Sequence, residues 1–580
     1  MAIIHGTALA RTAAAWLPSD WRLTLAALVI VVPIFNYVAL MVRSEFRARS
    51  TKDGRRPPDI PYWFPFLGHI LPLAKDPAGF LAKAADRYGA GIPVHVKVGP
   101  RSFYVLSSPT VFMTLTKASE HLTPKPSIAI FMENMFGTRK RAGKIYRADD
   151  SGINPKPLPG TSVAHKDRMW FHQNQAARKY LSGKSLQTIG KRFMAYLSRN
   201  IGNSETIGKE WVELPDLYDF WKDQVFEAAL TALFGPHLLR LNPSFTKDFW
   251  DYNAAIPMLL MGFPRWVTPW SYAARDRVLE GIKKWHQYAL AHEDVTQAGP
   301  SDPEWDENWG SVYLKVRYNF RSAMEGMDAD AHASDDLALM VAANANAMMS
   351  ASWFLIETLR DRALVPRLLA ELDNARQPTS EPGQVRFDID RLCSQPLLSS
   401  IYTETLRLRI GLMINRTSQH KEVRLGPWRF PPNMPIGVST VRTGSNAQLW
   451  NDKNGTKPLD KFWAERCILY PDDPDSGPWS RERREQLGEE LKVKALDKPT
   501  FSMDGMSGGW IPYGAGEFMC PGRHLAKQEM IGSYAVFLAS YDVELLVPDG
   551  WEPQPDTTYF GTGTMPPLGK IPCRIRKRAL

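Results

Sequence analysis

The chain has 580 residues, 44% of them hydrophobic, and a formal net charge of +10. Its cations are spread among acids along the whole length, which speaks against the clustered basic stripe of a nucleic-acid-binding protein; an anionic membrane surface or an acidic protein partner suits the charge, and no nucleic-acid partner is expected. Four cysteines, Cys393, Cys467, Cys520 and Cys573, form no C-x-x-C pair and are too few for a disulfide framework, so a reducing compartment is expected.

Taken in chain order, residues 1–22 form a short leading segment, and Leu23–Val42 is an uncharged run long enough to cross a bilayer. Pro33 inside it is tolerable in a membrane helix. The run is too long for a signal peptide and lacks a small-residue cleavage site. Arg43, Arg47, Arg49, Lys52, Arg55 and Arg56 follow it, so the positive-inside rule places everything after Val42 in the cytosol. A basic and proline-rich linker is expected over 43–65, stiffened by polyproline geometry, with the main body of the chain over 66–580.

Within that body, 92–108 reads as two strands around a Gly99-Pro100 turn. Helical patterns then dominate, interrupted by polar, breaker-rich insertions near 137–163 and 471–509. The apolar stretch 254–271, with Trp266 and Trp270, reads equally as a membrane-dipping loop or as a buried helix and its connector. Leu337–Ile356 is uncharged and also long enough to span a membrane, but its two asparagines and charged flanks favour a buried helix. Ser334, followed by Asp335 and Asp336, is the expected helix start. The tetrapeptide Glu-Thr-Leu-Arg occurs twice, at 357–360 and 404–407, each placing an acid and a base on one helix face. The first copy reads as a surface pair.

The most specific signal is the loop Tyr513-Gly-Ala-Gly-Glu-Phe-Met-Cys520-Pro-Gly-Arg523. It delivers a cysteine onto the start of a helix running from Arg523 to about Ala539, where backbone amides and the helix dipole favour a thiolate. Gly516 and Gly522 remove side-chain bulk, so a flat cofactor can lie against the backbone. A thiolate ligand to haem iron favours O–O cleavage.

This loop resembles that of the cytochrome P450 family, in which an aromatic, a glycine, the cysteine and a second glycine recur at the spacing of Tyr513, Gly516, Cys520 and Gly522. The resemblance implies a mainly α fold with small β-sheets behind one N-terminal transmembrane helix, and a haem b (iron protoporphyrin IX) ligated by Cys520. It selects Glu404 and Arg407 as the family's Glu-x-x-Arg pair, because Arg416, Phe462-Trp-Ala-Glu-Arg466 and the cysteine loop follow in order. Arg466 would close a buried structural triad with Glu404 and Arg407, and Arg416 would reach a haem propionate.

Three departures from the family pattern stand out. Phe518 occupies a position where a basic residue often meets a propionate. Asn174 interrupts the expected Trp-x-x-x-Arg spacing after Trp170, leaving Arg178 out of register. The acid–threonine positions that relay protons above the haem fall on Ala345 and Asn346, which leaves Asn346 as the candidate catalytic group, its amide holding a relay water in line, while Ala342 and its neighbours keep a thin surface facing the cofactor. Asn346 resembles the asparagine of the sterol hydroxylase and prostacyclin synthase branch, and the stretch Gly561–Pro567 resembles fungal members. The resemblance therefore implies a monooxygenase of a lipophilic terpenoid or sterol on the endoplasmic reticulum, fed by an NADPH-dependent flavoprotein reductase docking near Arg523 and Lys527. A peroxide isomerase or dehydratase needing no reductase, and a non-catalytic haem-binding membrane protein, are the alternatives. His165, His172 and His524 read as surface histidines, and the other three cysteines as inert.

Overall fold

The computed structural model describes residues 21–49, 54–89, 91–117, 122–204, 206–295, 302–379, 384–488 and 496–578. Helices dominate, with several small sheets. The largest sheet has five strands in the order Val94–Val98, Arg101–Val105, Ile436–Ser439, Met413–Ser418, Leu122–Thr123. Its first two strands form the expected hairpin around Gly99-Pro100, with Val94 opposite Val105. A three-stranded sheet joins Tyr541–Leu545, Cys573–Lys577 and Val212–Leu214.

The N-terminal helix runs from Trp21 to Arg49, past the apolar run and into the basic segment. The proline-rich stretch after it is packed rather than free. Ile60 N–H donates to His95 O at 2.9 Å and His95 N–H to Pro58 O at 2.8 Å, so residues 58–60 lie alongside the first strand. The second apolar run belongs to a buried helix, Ala329–Arg360. Its start is Asp328, whose side chain accepts from Ala331 N–H, not Ser334. Ser334 lies a full turn inside and is buried. Asp335 and Asp336, taken from the sequence as first-turn acids, instead anchor a buried charge cluster. Asp335 accepts from Tyr146 Oη at 2.6 Å and pairs with Arg317 and Arg321; Asp336 pairs with Arg321 at 3.0 Å and with His286 Nε2 at 2.9 Å. Two carboxylates facing two guanidiniums offset the cost of burying all four charges.

Between Val341 and Ala345 the long helix widens into a π-turn before resuming as Asn346–Arg360. Such single-turn bulges recur at functional sites. The second half packs against the helix Arg523–Ser540, where the rings of Phe354 and Tyr534 stack at 4.3 Å.

The stretch 254–271 is a buried helix end followed by an exposed connector. Ala255, Ile256 and Leu259 are buried at the end of the helix Phe245–Met261, whereas Trp266 is 82% and Trp270 62% exposed at the tip beyond it. Within the second insertion, Trp479, Leu487 and Met506 form a satellite core with Trp450, Cys467 and Leu469. Residues 489–495 of that insertion lie outside the described set.

Candidate active site

The cysteine loop folds back on itself. Gly514 and Gly516 have φ of +78° and +66°, conformations that side chains disfavour, and Cys520 N–H donates to Tyr513 O at 2.9 Å. Tyr513 and Trp510 tie the loop to the helix Pro396–Arg409, through a Tyr402–Tyr513 hydroxyl contact of 2.6 Å and a Trp510 Nε1 bond to Thr403 O of 3.1 Å. The loop ends on the helix Arg523–Ser540, and Cys520 is exposed into a cavity of about 460 Å³. Burial holds the Cys520 thiol above its ordinary range; backbone amides of Gly522 and Arg523 and the Arg523 charge oppose that effect without outweighing it.

Ala342, Ala343, Asn346 and Ala347 of the long helix line the same cavity as Cys520. Gly514 and Gly522 line the cysteine side. Gly516 does not: a Cβ there would meet Thr116 O at 3.2 Å, so its requirement is conformational and Gly514 is the glycine that leaves room. Phe518 lines the cavity and lies 5.3 Å from the Arg416 guanidinium. Arg416 is buried, donates to Ala515 O at 2.6 Å and Asn415 O at 2.8 Å, and has no carboxylate partner among the described residues. Burial pushes its pKa down to about 10.

These features fit the haem that the motif implies. The sulfur opens onto a cavity partly walled by alanines, and a buried cation on the cavity wall lacks an anion that a propionate would supply.

The residues Glu404, Arg407 and Arg466 come together as a fully buried triad. Arg407 grips Glu404 through two bonds of 2.7 and 2.8 Å, and Arg466 Nε reaches it at 3.0 Å. The remaining guanidinium protons go to carbonyls, including Gly444, Leu459 and Asn451. The other copy of the motif is not a surface pair. Glu357 is 2% exposed and binds Arg360 at 2.7 Å and also Arg409, whose guanidinium stacks 3.7 Å from the Trp353 ring. Arg409, two residues beyond the Glu404 motif, was invisible as a partner because nothing local marks a contact across 52 positions.

Asn346 is held by a specific bond. Its Oδ1 accepts from Thr564 N–H at 3.0 Å, Thr564 Oγ1 donates back to Asn346 O at 3.0 Å, and a Cβ on Gly563 would lie 1.9 Å from that oxygen. The Gly561–Pro567 stretch is thus fastened to the long helix at the cavity wall. Trp170 donates its indole N–H to Tyr146 O at 3.0 Å, and Asn174 Oδ1 is buried without a partner. Arg178 is exposed beside Glu517 O.

Lys527, expected on a docking face, turns inward. It lies 5.5 Å from the Tyr402 ring and 3.4 Å from Ser399 Oγ, with its pKa lowered by burial. Arg523 donates to Cys520 O at 3.1 Å. His165 and His524 are exposed, whereas His172 is half-buried, with Nε2 2.8 Å from His165 O. Burial pushes Cys393 up to about 11 and Cys573 to about 12, and Cys467 higher still.

No protein-family model matches the chain. Among curated proteins it is 36% identical over 576 residues to the cytochrome P450 monooxygenase efuG of Hormonema carpetanum, covering 97% of this chain and 98% of that protein. It is also 36% identical over 533 residues to the cytochrome P450 monooxygenase fsoE of Humicola fuscoatra, covering 91% and 88% respectively. A more distant relative, cytochrome P450 7A1 of Oryctolagus cuniculus, is 22% identical over 90% of this chain and 94% of its own. With a cysteine loop poised over a cavity that suits a haem, and relatives matched nearly end to end, the chain belongs to the cytochrome P450 monooxygenases.

Proposed function

We propose that this monooxygenase holds a haem b on Cys520 and oxidises a lipophilic terpenoid- or sterol-like molecule, using dioxygen and electrons from an NADPH-dependent flavoprotein reductase. The observation that carries the substrate class is the cavity wall: Ile128, Phe131, Leu233, Leu339 and Ile414 are apolar, and polar groups are few. When bound, a thiolate-ligated haem supplies dioxygen activation and O–O cleavage. The chain's own residues hold and orient the reactants. Arg416 supplies a buried cation for a propionate, the alanines give clearance, and the Ser127–Asn415 pair, 3.0 Å apart, offers a polar anchor on a mostly apolar wall. Turnover in a reductase-bearing microsomal host, fed terpenoids and sterols, should give products carrying one added oxygen. Product formed without reductant would sink the reading.

Asn346 serves chiefly as a tether in this scheme. Asn346→Ala leaves the Thr564 N–H without its acceptor, at a cost of about 1–3 kcal/mol, and loosens the cavity wall. Less product per reductant consumed, with more peroxide released, is the expected result. Asn346→Asp keeps the acceptor oxygen and should restore the stability lost in Asn346→Ala. Unchanged coupling in Asn346→Ala would remove the residue from any role in the reaction.

Leu23–Val42 is proposed as a single anchor in the endoplasmic reticulum membrane, with residues 66–580 as a catalytic body facing the cytosol. Further apolar side chains support membrane contact by the body itself. Phe66 is 89% exposed, Trp63 50% and Trp266 82%. The helices Phe245–Met261 and Pro77–Asp86 both contact the turn Thr557–Tyr559, which puts the Trp266 tip and the Trp63 region on neighbouring parts of the body. Deleting residues 1–42 should therefore leave holoprotein that stays on vesicles through a high-salt wash. Adding Phe66→Ser and Trp266→Ser should release it. Full release by the deletion alone would show that the anchor is the sole attachment.

A further inference from the structure

The N-terminal helix is docked on the body along one stripe. Pro33 and Ser44 are buried and Asn36, Tyr37, Leu40, Met41 and Arg47 are half-buried, whereas Val31, Phe35, Val38 and Val42 are exposed. This three-and-four spacing is one face of a helix. Asn36 Nδ2 donates to Tyr62 O at 2.6 Å, the Tyr37 and Trp63 rings stack at 4.3 Å, and Arg47 pairs with Asp59 at 2.8 Å. With a rise of 1.5 Å per residue, Asn36 lies about 9 Å from Val42 along the axis. The docking therefore fixes the Tyr62–Trp63 segment below the cytosolic end of the apolar run.

A second cavity, of about 550 Å³, opens beside these contacts. Its walls include Tyr37, Trp63, Phe64 and Phe80, and its lining also includes Lys83 and Arg87. Both cations are exposed, and neither has a carboxylate within ion-pair distance among the described residues. The acid between them, Asp86, is engaged by Arg442 at 2.7 Å. His69, also in the lining, is buried, its Nδ1 3.0 Å from Lys97 O and its Nε2 3.3 Å from Pro61 O, and burial disfavours its charged form. The cavity thus combines an aromatic wall, two unneutralised cations and a fixed position beside the anchor.

We propose that this cavity binds one anionic glycerophospholipid, its phosphate against Lys83 and Arg87 and the upper part of its acyl chains on the aromatic wall. The cations select a negative headgroup, which a neutral sterol lacks. The aromatic wall selects an apolar tail, which a soluble phosphate lacks. The two features lie in one cavity, as a phospholipid's headgroup and chains require. The proposal rests on the reading of Leu23–Val42 as a membrane anchor and is independent of the reaction.

The test uses full-length holoprotein in nanodiscs of equal phosphatidylserine and phosphatidylcholine, with retained lipid read by native mass spectrometry and membrane attachment read by vesicle flotation. Wild type should retain one phosphatidylserine in roughly thirtyfold preference to phosphatidylcholine, the scale set by two cations near the headgroup. The double variant Lys83→Gln, Arg87→Gln should lose the preference while still floating and keeping its haem spectrum. Arg49→Gln, which removes an exposed cation at the end of the anchor helix, should keep it. Equal retention of both lipids by a floating wild type overturns the lipid site alone, as does an equal loss of preference in Arg49→Gln. Failure of the wild type to float overturns the anchor reading and the site with it.

Discussion

Cys520→Ser is expected to give a folded protein that has lost the thiolate-type carbon monoxide spectrum and all monooxygenase turnover. The loop does not depend on the sulfur for its shape. The Cys520 amide is held by Tyr513 O, the glycines set the backbone path, and Tyr402, Trp510 and Tyr513 fasten the loop to the neighbouring helix. Serine fits the same volume but does not provide a thiolate, so the loss falls on ligation and not on folding. Circular dichroism should match wild type while the carbon monoxide difference spectrum collapses. A variant that keeps the thiolate-type spectrum would show that another group holds the iron. A well-folded wild type without that spectrum would show that Cys520 does not ligate it.

Glu404→Ala and Glu357→Ala are expected to be comparably damaging, each costing about 3–5 kcal/mol, because each strands buried guanidinium groups without their counter-charge. For Glu404 these are Arg407 and Arg466; for Glu357 they are Arg409 and, partly exposed, Arg360. A surface pair would contribute only about 0.2–0.5 kcal/mol, so the Glu357 variant separates the buried arrangement from the one the sequence suggested. Denaturation midpoints and holoprotein yield read the effect, and a silent Glu357→Ala would overturn the buried pair. Burial raises the Glu404 pKa, but Arg407 and Arg466 outweigh it and hold the carboxyl below its ordinary range. A depressed folded-state pKa contributes stability above the unfolded carboxylate range that is lost as pH falls through the folded value. Wild type should therefore lose this contribution only in acid, and Glu404→Ala should flatten that part of the stability profile.

Parts of this site are legible in the sequence because their chemistry is local. The cysteine, its glycines and the helix that follows lie within about thirty residues, and the pattern of residue types carries the geometry. The Glu404–Arg407 contact is likewise a matter of helix spacing. What the sequence did not disclose lies in contacts between distant segments. Asp335 and Asp336 look like helix-start acids because acids favour a first turn; their partners Arg317, Arg321 and His286 sit on other helices. Asn346 looked like a group poised over the cofactor, and only the approach of Gly563 and Thr564 shows its oxygen already occupied. Gly516 and Gly514 are indistinguishable as letters, and only the backbone path shows which one faces the cavity. Lys527 is a surface cation by composition and a half-buried one by packing.

The widened turn at Val341–Ala345 has a consequence for how the long helix keeps time with its surroundings. Each residue advances an α-helix by about 100°, so a residue accommodated without a matching turn resets the angular phase of everything after it. Upstream, Asp335 and Asp336 pin one phase to the charge cluster. Downstream, Ser350 against Thr564, Trp353 Nε1 against Met565 O and Glu357 against Arg409 pin another. The wide turn is the vernier between the two clamps. Its slack falls where Ala342 and Ala343 border the cavity, which leaves this wall free of the phase that either clamp alone would impose.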